Sequence, residues 1–415
     1  MNRAEPERLP VRPTINDTLF AGLARLLAPL RTAPWWVQVT LIYVAARLVS
    51  FAILAGAAFH AEASPWGGRQ PDYLTFINRW DAGWYERIYD GGYPRELPRG
   101  PDGEVQQNQW AFYPLFPLLV RGLNLVTGLG WAVAAPLVAT VAGLAAALMI
   151  YRLFREFASP GTALWGVTFF ATFPISPILQ IPYAESTSTF FLAAALYFLV
   201  RRNYWAAAPA VIFLCLSRPI GVPFAALVGI HLVLRWWHRR RETFPPREMV
   251  AGAVLLFTSA VMAVSWMLIA WWVTGDFSAY TDTETAWRGE TLVFFTPWFQ
   301  AGVDLVGPLW GPLLPVLLIA VAALYLNSRP VRRIGPELRI WCGLYLLYLL
   351  AVLHPQSSTF RMMLPLFPLA LAGAFISPSR AFRGTVVVMN VILQLVWVVW
   401  LWQFMAISTG TAWPP

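Results

Sequence analysis

The chain has 415 residues, of which 58% are hydrophobic and only 12% are charged. Soluble domains carry about 25% charged residues, so this composition excludes an ordinary soluble protein. All 30 basic residues are arginines, and the formal net charge is +9. Because the arginines stand in short clusters between apolar segments, the charge favours membrane orientation and argues against nucleic-acid binding.

The N-terminal segment is polar and interrupted by prolines, and it contains no apolar region of the kind found in signal peptides. We therefore expect residues 1–34 to form a cytoplasmic tail, with a surface helix near Leu19–Leu30. The two cysteines, Cys215 and Cys342, lie in predicted spans and form neither a disulfide framework nor a CxxC motif.

Apolar windows between polar breaks predict about eleven transmembrane helices, because one span needs roughly 20 apolar residues. Residues 35–415 are therefore expected to form one all-α transmembrane domain. Two adjacent short windows, 186–200 and 204–217, suit broken or tilted helices. The predicted spans are 35–58, 131–151, 162–180, 186–200, 204–217, 220–236, 250–273, 308–326, 340–353, 361–377 and 385–405.

The orientation follows from five arginine clusters, since basic loops stay in the cytoplasm. With the N-terminal tail inside, eleven spans place all five clusters inside as well. The clusters are Arg152/Arg155, Arg201/Arg202, 235–248, 329–339 and Arg380/Arg383. The loops expected outside are 59–130, 181–185, the region around 217–220, 274–307 and 354–360.

The first outer loop, 59–130, contains the sequence RWDAGWYERIYDGGYP at 79–94. Trp84 and Ile88, like Tyr85 and Tyr89, are four residues apart and predict one aromatic face of a short helix, ended by Gly91 and Gly92. Such a helix suits the membrane surface with its rings directed into the lipid.

A second amphipathic segment of this loop covers 109–128 and is interrupted by Arg121 and Asn124. We interpret it as an interfacial helix. The alternative, a further span, would break the agreement between the arginine clusters and the cytoplasmic side.

Asp81 stands at the N-terminal edge of the predicted helix, and two roles are open for it. An aspartate in this place can cap a helix by accepting from free backbone N–H groups. It can also serve as a general base held at the membrane surface.

Other ionisable residues gather at the outer ends of spans. Such groups are costly at membrane depth and usually face a cavity or a partner. Carboxylates beside arginines suit a site that binds an anionic head group and moves a proton, since the arginine fork matches phosphate. The residues are Glu185 in PYAEST, Arg218 in SRPIG, His354 and Arg361 in HPQSSTFRMM, and the acids Asp276, Asp282 and Glu284 near Arg288.

Structural roles for the same residues remain open at this point. The two arginines can form ion pairs at span ends, Glu185 can be an acid favoured by a helix dipole, and the acids of 274–290 suit a solvated loop. A histidine alone at the interface, such as His354, is more often structural than a ligand. The sequence shows no clustered metal ligands and no nucleotide-binding motif.

These motifs resemble the PIG-V mannosyltransferase family in an order that covers most of the chain. The resemblance begins with the Trp-Asp pair of the first outer loop and continues through four later blocks. It rests on Trp80, Asp81, Tyr85, Gly92, Tyr93, Ala111 to Pro117, and the blocks at 182–186, 217–221, 274–280 and 360–371.

The resemblance implies a bacterial GT-C glycosyltransferase with multiple transmembrane helices in the inner membrane and a catalytic first outer loop. Its expected partners are membrane lipids, a polyprenyl-phosphate mannose donor, and a glycolipid or cell-envelope glycan acceptor outside the cytoplasm. Transfer is expected to invert the anomeric carbon and to need no cofactor and no metal.

The resemblance also implies roles for residues. Asp81 matches the catalytic acid of the first outer loop and is the expected general base. The expected substrate-binding residues neutralise the leaving phosphate, orient a sugar hydroxyl or hold apolar sugar and lipid surfaces; they are Trp80, Trp84, Tyr85, Glu185, Arg218, His354 and Arg361.

A transporter or flippase for the same lipid-linked sugar is the competing class. It would favour internal repeats and polar residues at mid-membrane. No repeat is evident, and the polar residues gather at one face, which favours an enzyme.

Overall fold

A computed structural model describes residues 32–65, 67–287 and 293–403. The predicted cytoplasmic tail, 1–34, lies outside the described residues except for its last three positions, and so does the surface helix near Leu19–Leu30. Within the described ranges the chain is helical with isolated bridges and no β-strand, which confirms the all-α fold class.

The helices mostly follow one another with short connections, and every predicted span falls, over its described residues, on one helix or on consecutive helices. They are α1 (Trp35–Phe59), α2 (Tyr73–Ile77), α3 (Asp81–Gly91), α4 (Leu115–Thr127), α5 (Trp131–Phe154), α6 (Pro160–Thr172), α7 (Glu185–Val200), α8 (Tyr204–Cys215), α9 (Gly221–Trp237), α10 (Pro246–Thr274), α11 (Ala279–Thr285), α12 (Thr296–Trp310), α13 (Leu313–Leu326), α14 (Arg329–Arg332), α15 (Pro336–Val352), α16 (Thr359–Met362), α17 (Pro368–Ile376) and α18 (Arg380–Trp397).

Four of these segments are long and apolar enough to cross a membrane: α1, α5, α10 and α18 with the turn that follows it. Two bent pairs pass the same test when each is taken as one span, α12 with α13 at 109° and 359–366 with α17 at 74°. The described part of the chain is thus a multi-pass membrane protein with four to six spans by length and composition. The larger number, about eleven, stays a prediction.

The core of the bundle surrounds α7, which packs between α5 and α8. On one side, α8, α9 and α10 pack against one another, and α9 also contacts α15. On the other side, α6 contacts α1, α17 and α18. Because α7 is enclosed by neighbours, even its first residues, which are polar, are buried.

Arg47 donates hydrogen bonds to backbone carbonyls at a break between two helical segments inside the bundle. It projects from the middle of α1, is 6% exposed, and its guanidinium donates to the carbonyls of Ala171 and Ser176. These carbonyls flank the interruption between α6 and the 3₁₀ turn Ser176–Gln180. Backbone groups freed at membrane depth need such partners because no water is available.

The predicted arginine clusters meet at one end of the bundle. Arg201, which follows α7, pairs with Glu156 after α5 at 3.0 Å. At the same end His231 of α9 contacts Glu337 of α15 at 3.3 Å. That the clusters share one end agrees with the predicted grouping, whereas the side of the membrane that they face stays a prediction.

The segment 109–128 forms a short 3₁₀ turn followed by α4, a helix of 13 residues. At 1.5 Å per residue α4 is about 20 Å long, which is less than the roughly 30 Å hydrocarbon core. One face of α4, with Phe116 and Val120, is buried, while Leu125 and Val126 are exposed. The helix is too short to cross a membrane on its own, and the interfacial interpretation stays a prediction.

Helix α3 differs from the expectation of a helix that lies with its rings in the lipid. Tyr85 is 1% exposed and packs edge-on against Phe112 and Phe116, and Tyr89 packs against Trp131. Tyr85 is buried and Trp84 and Tyr89 are half-buried, because α4 and the start of α5 pack against the aromatic face. The helix ends where predicted, with Gly92 at φ 73°.

Candidate active site

Four charged side chains from distant parts of the sequence meet at the end of the bundle opposite the arginine clusters. They come from the start of α3, the start of α7, the turn between α8 and α9, and α16. We call Asp81, Glu185, Arg218 and Arg361 the charged tetrad. The structure therefore brings together four residues that the sequence analysis predicted separately.

Arg361 lies at the centre of the tetrad. Its Nη2 atom is 2.5 Å from Oδ2 of Asp81, and its Nη1 atom is 3.6 Å from Oε1 of Glu185. The same Glu185 oxygen pairs with Nη2 of Arg218. Two carboxylates thus face two guanidinium groups, and the tetrad is electrically neutral when all four are ionised.

Both carboxylates begin helices. Asp81 is the first residue of α3 and Glu185 is the first residue of α7. Negative charge is favourable at these helix ends because the free N–H groups carry positive partial charge. The N-cap position of α3 belongs to Trp80, and the Asp81 carboxylate contacts Arg361, so an ion pair replaces the simple capping role.

The tetrad is enclosed yet incompletely paired. Glu185 is 6% exposed and Arg361 is 7% exposed. Among the described residues, Oε2 of Glu185 and the Nε and Nη1 atoms of Arg361 have no hydrogen-bond partner. Buried polar groups are nearly always hydrogen-bonded. The arrangement therefore offers both an acceptor and donors to a ligand that enters the site.

Arg218 occupies the turn between α8 and α9. Burial alone would lower the pKa of its guanidinium, but the neighbouring Glu185 carboxylate stabilises the charged form and the pKa lies above its usual value. Arg218 therefore stays cationic in the site and can share in binding an anion.

Tyr183 contacts the tetrad and was not predicted from the sequence. Its hydroxyl accepts from the backbone N–H of Asp81 at 3.0 Å and donates to the carbonyl of Arg79 at 3.3 Å. The Arg361 guanidinium carbon lies 5.2 Å from the centre of its ring. Its position two residues before Glu185 in PYAES was the only available signal.

An aromatic cluster lies beside the tetrad. The half-buried ring of Trp84 stacks on Phe112 at 5.9 Å and meets Trp287 edge-on at 5.3 Å. Tyr85, buried behind them, contacts Phe112. Rings of this kind offer flat apolar surfaces to a sugar or an isoprenoid chain.

The two remaining predicted residues lie in different surroundings. The indole of Trp80 donates to the carbonyl of Trp402, and its backbone has a φ of 59°. Trp80 thus links α3 to the segment after α18. His354 is half-buried in the loop between α15 and α16, a few residues before Arg361.

The acids of the 274–290 segment make contacts outside the tetrad, one of them with the distant Arg99. Asp276 pairs with Arg99 at 3.2 Å, and Asp282 accepts from the Ser278 hydroxyl at 2.7 Å. These contacts suit the predicted loop role. Arg288 lies outside the described residues. No group of three or more metal-ligating side chains occurs in residues 32–65, 67–287 and 293–403.

Comparisons with solved structures identify the fold. ArnT from Cupriavidus metallidurans bound to undecaprenyl phosphate aligns with a TM-score of 0.51 at 16% sequence identity, over 86% of this chain. Its apo structure aligns with a TM-score of 0.48 over 84% of this chain and 61% of its own. The oligosaccharyltransferase AglB from Archaeoglobus fulgidus aligns with a TM-score of 0.46 at 14% identity, over 90% of this chain.

The chain spans 63% of the undecaprenyl-phosphate-bound ArnT chain and 56% of the AglB chain. No protein-family model and no curated protein sequence matches it. The likeness to ArnT shows that this chain has the expected GT-C-type helical fold.

Proposed function

We propose that this protein is an integral-membrane glycosyltransferase that uses a polyprenyl-phosphate sugar. The observation that carries the proposal is the charged tetrad, in which Arg361 lies between two carboxylates with donor atoms left open. Two further points support it: the fold is shared with ArnT, whose structure contains undecaprenyl phosphate, and the sequence motifs resemble those of PIG-V mannosyltransferases.

Arg361 would bind the donor phosphate. A guanidinium presents a planar fork of donors that matches a phosphate group, and such charge-assisted bonds are stronger than neutral ones. The buried Nε and Nη1 atoms lack hydrogen-bond partners, and release of Asp81 from Nη2 would complete a fork of adjacent donors for the phosphate. Arg218, which is ion-paired with Glu185, would add a second positive charge. The two arginines would then stabilise the charge that develops on the leaving phosphate.

Asp81 would act as the general base. In the structure its carboxylate contacts Arg361 at 2.5 Å. When the donor phosphate binds Arg361, it would replace the Asp81 carboxylate there, and Asp81 would be free to accept a proton. Donor binding would thus precede activation of the base.

The transfer would proceed in one displacement. The acceptor hydroxyl gives its proton to Asp81 as its oxygen forms a bond to the anomeric carbon. The bond from that carbon to the phosphate oxygen breaks, and the electron pair leaves with the polyprenyl phosphate. Attack from the opposite face inverts the anomeric centre, so a β-linked donor yields an α-glycoside.

The sugar would lie between Glu185 and the aromatic cluster. The open Oε2 atom of Glu185 can accept from a sugar hydroxyl, and Trp84 offers a flat apolar face. Mannose is the proposed sugar because of the motif resemblance. The proposed acceptor is a glycolipid or cell-envelope glycan on the outer side of a bacterial inner membrane, where the tetrad would lie if the arginine clusters are cytoplasmic.

The test is a transfer assay with purified full-length protein. It is incubated with polyprenyl-phosphate mannose and a panel of envelope lipids and glycans, and products are read by mass spectrometry. We expect an acceptor whose mass increases by one hexose, and no such product with Asp81→Asn. Asp276→Asn, which changes a half-buried carboxylate that pairs with Arg99 outside the tetrad, is the matched control and should keep its activity.

Product formation by Asp81→Asn at the wild-type rate would remove the general-base assignment. Movement of the intact donor across vesicles without any glycosylated product would instead favour the flippase alternative.

A further inference from the structure

Trp80, the residue before Asp81, adopts an unusual backbone conformation. Its φ is 59°, in the left-handed region that residues with side chains rarely adopt. Such a conformation persists only where the surrounding structure holds it in place. Since Asp81 follows directly, whatever holds Trp80 also sets the direction in which α3 and its first carboxylate point.

The hydroxyl of Tyr183 holds both sides of this residue. It donates to the carbonyl of Arg79, which precedes Trp80, and accepts from the N–H of Asp81, which follows it. One oxygen atom therefore bridges the two backbone groups that flank the strained position. Tyr183 is 0% exposed, so water does not compete for these bonds.

The ring of Tyr183 contacts Arg361, which is the partner of Asp81 in the ion pair. The guanidinium carbon of Arg361 lies 5.2 Å from the ring centre, within the range of a cation–π contact. The ring itself is packed between Trp402 at 5.7 Å and Tyr85 at 6.4 Å. Its hydroxyl thus fixes the backbone of Asp81, and its ring supports the cation to which Asp81 is paired.

We propose that Tyr183 is a positioning residue that sets the geometry between Asp81 and Arg361. It touches neither the reacting atoms nor the sugar in this scheme and acts through the two groups that it holds. The inference rests on the proposed function for its kinetic consequences, whereas the bridge across Trp80 is testable without any substrate.

Two substitutions test the role of the hydroxyl and the role of the ring separately. Tyr183→Phe removes the bridge and keeps the surface under Arg361, so we expect kcat to fall about tenfold, the effect of leaving the buried N–H of Asp81 unpaired. The Arg79 carbonyl still accepts from the N–H of Ala82 at 3.2 Å. The donor KM should stay unchanged. Tyr183→Leu also removes the ring, so the donor KM should rise by about tenfold as well.

The matched control is Tyr43→Phe. Tyr43 is 1% exposed, and its hydroxyl also donates to a backbone carbonyl, that of Thr140 at 3.1 Å. It lies on α1, away from the tetrad. This variant should match Tyr183→Phe in thermal stability and keep kcat and KM within about twofold of the wild type, because it loses a comparable buried bond.

Hydrogen exchange provides the readout that does not need activity. Peptides that contain the Asp81 amide should exchange about tenfold faster in Tyr183→Phe than in the wild type. Their exchange rate in Tyr43→Phe should equal that of the wild type. Equal exchange in all three proteins, or equal kcat for Tyr183→Phe and the wild type, would overturn the inference. Absence of transfer by the wild type would count against the proposed function alone, since the exchange result stands independently.

Discussion

The two ends of the bundle both carry charged networks, but the networks are built in opposite ways. At the arginine-rich end, every nitrogen of Arg235 has a partner: Nε donates to Glu248 at 3.0 Å, Nη1 to Glu242 at 2.7 Å and Nη2 to the carbonyl of Thr243 at 2.8 Å. These partners are close in sequence and join the end of α9 to the start of α10. This network holds helices together.

The charged tetrad draws its members from four distant segments and leaves polar atoms open. Arg361 makes one short contact, to Asp81, while its Nε and Nη1 atoms have no hydrogen-bond partner within the described ranges. Burying such groups without partners is costly, and proteins retain them where a ligand completes the set. Under the proposed function, the contrast separates a structural network from one that a substrate completes.

The largest expected effect comes from Asp81→Asn. The amide keeps the size of the side chain and loses the ability to accept a proton as a base. We expect transfer to fall by about 10²–10⁴-fold, the usual contribution of general-base catalysis. Initial rates of hexose transfer measure it, and a cooperative melting transition above the assay temperature shows that the folded protein is assayed, because loss of the buried ion pair also lowers stability.

Arg361→Gln should have the second largest effect. Removing the central guanidinium leaves the developing phosphate charge without its main partner, so kcat should fall by about 10²–10³-fold. Arg361→Lys keeps the charge without the fork, so its kcat should lie between that of Arg361→Gln and that of the wild type. A wild-type kcat for Arg361→Gln would show that the tetrad has only a structural role, like the network at the arginine-rich end.

Trp84→Ala should have a smaller effect, mainly on binding. It removes the ring that stacks on Phe112 and meets Trp287, so the donor KM should rise about three- to tenfold. The kcat should change little because the tetrad is untouched. Steady-state kinetics over a range of donor concentrations distinguish this from a loss of turnover.

Arg235→Gln should have the smallest effect on turnover. Arg235 is 5% exposed, and its loss leaves the Glu248 carboxylate with the Tyr204 hydroxyl but without its cationic partner, so the free energy of unfolding should fall by about 3 kcal/mol. The kcat of the folded protein should equal that of the wild type. A kcat loss comparable to that of Arg361→Gln would erase the distinction between the two ends.

Much of the fold and part of the site could be predicted from the sequence. Apolar windows located the helices, and the arginine clusters indicated which helix ends lie on the same side. Asp81, Glu185, Arg218 and Arg361 were therefore expected together at the opposite face. Their pairing was not predictable, because spacing along the chain does not say which of four distant loops touch. That Arg361 lies between two carboxylates is a product of tertiary packing.

Other features were missed for physical reasons. Tyr183 looks like one more aromatic residue in an apolar chain, and only its two backbone hydrogen bonds distinguish it. The rings of α3 were expected in lipid because an amphipathic face does not reveal whether protein or membrane covers it. Arg47 offered a usable signal, a charge in the middle of an apolar span, which indicates a buried polar partner.

The most direct test of the central claim is a structure of the protein with polyprenyl phosphate bound. Our account predicts that phosphate oxygens lie within hydrogen-bond distance of Arg361 and that the Asp81 carboxylate has separated from it and faces an open space for an acceptor hydroxyl. A phosphate bound elsewhere, with Asp81 and Arg361 still in contact at 2.5 Å, would contradict it.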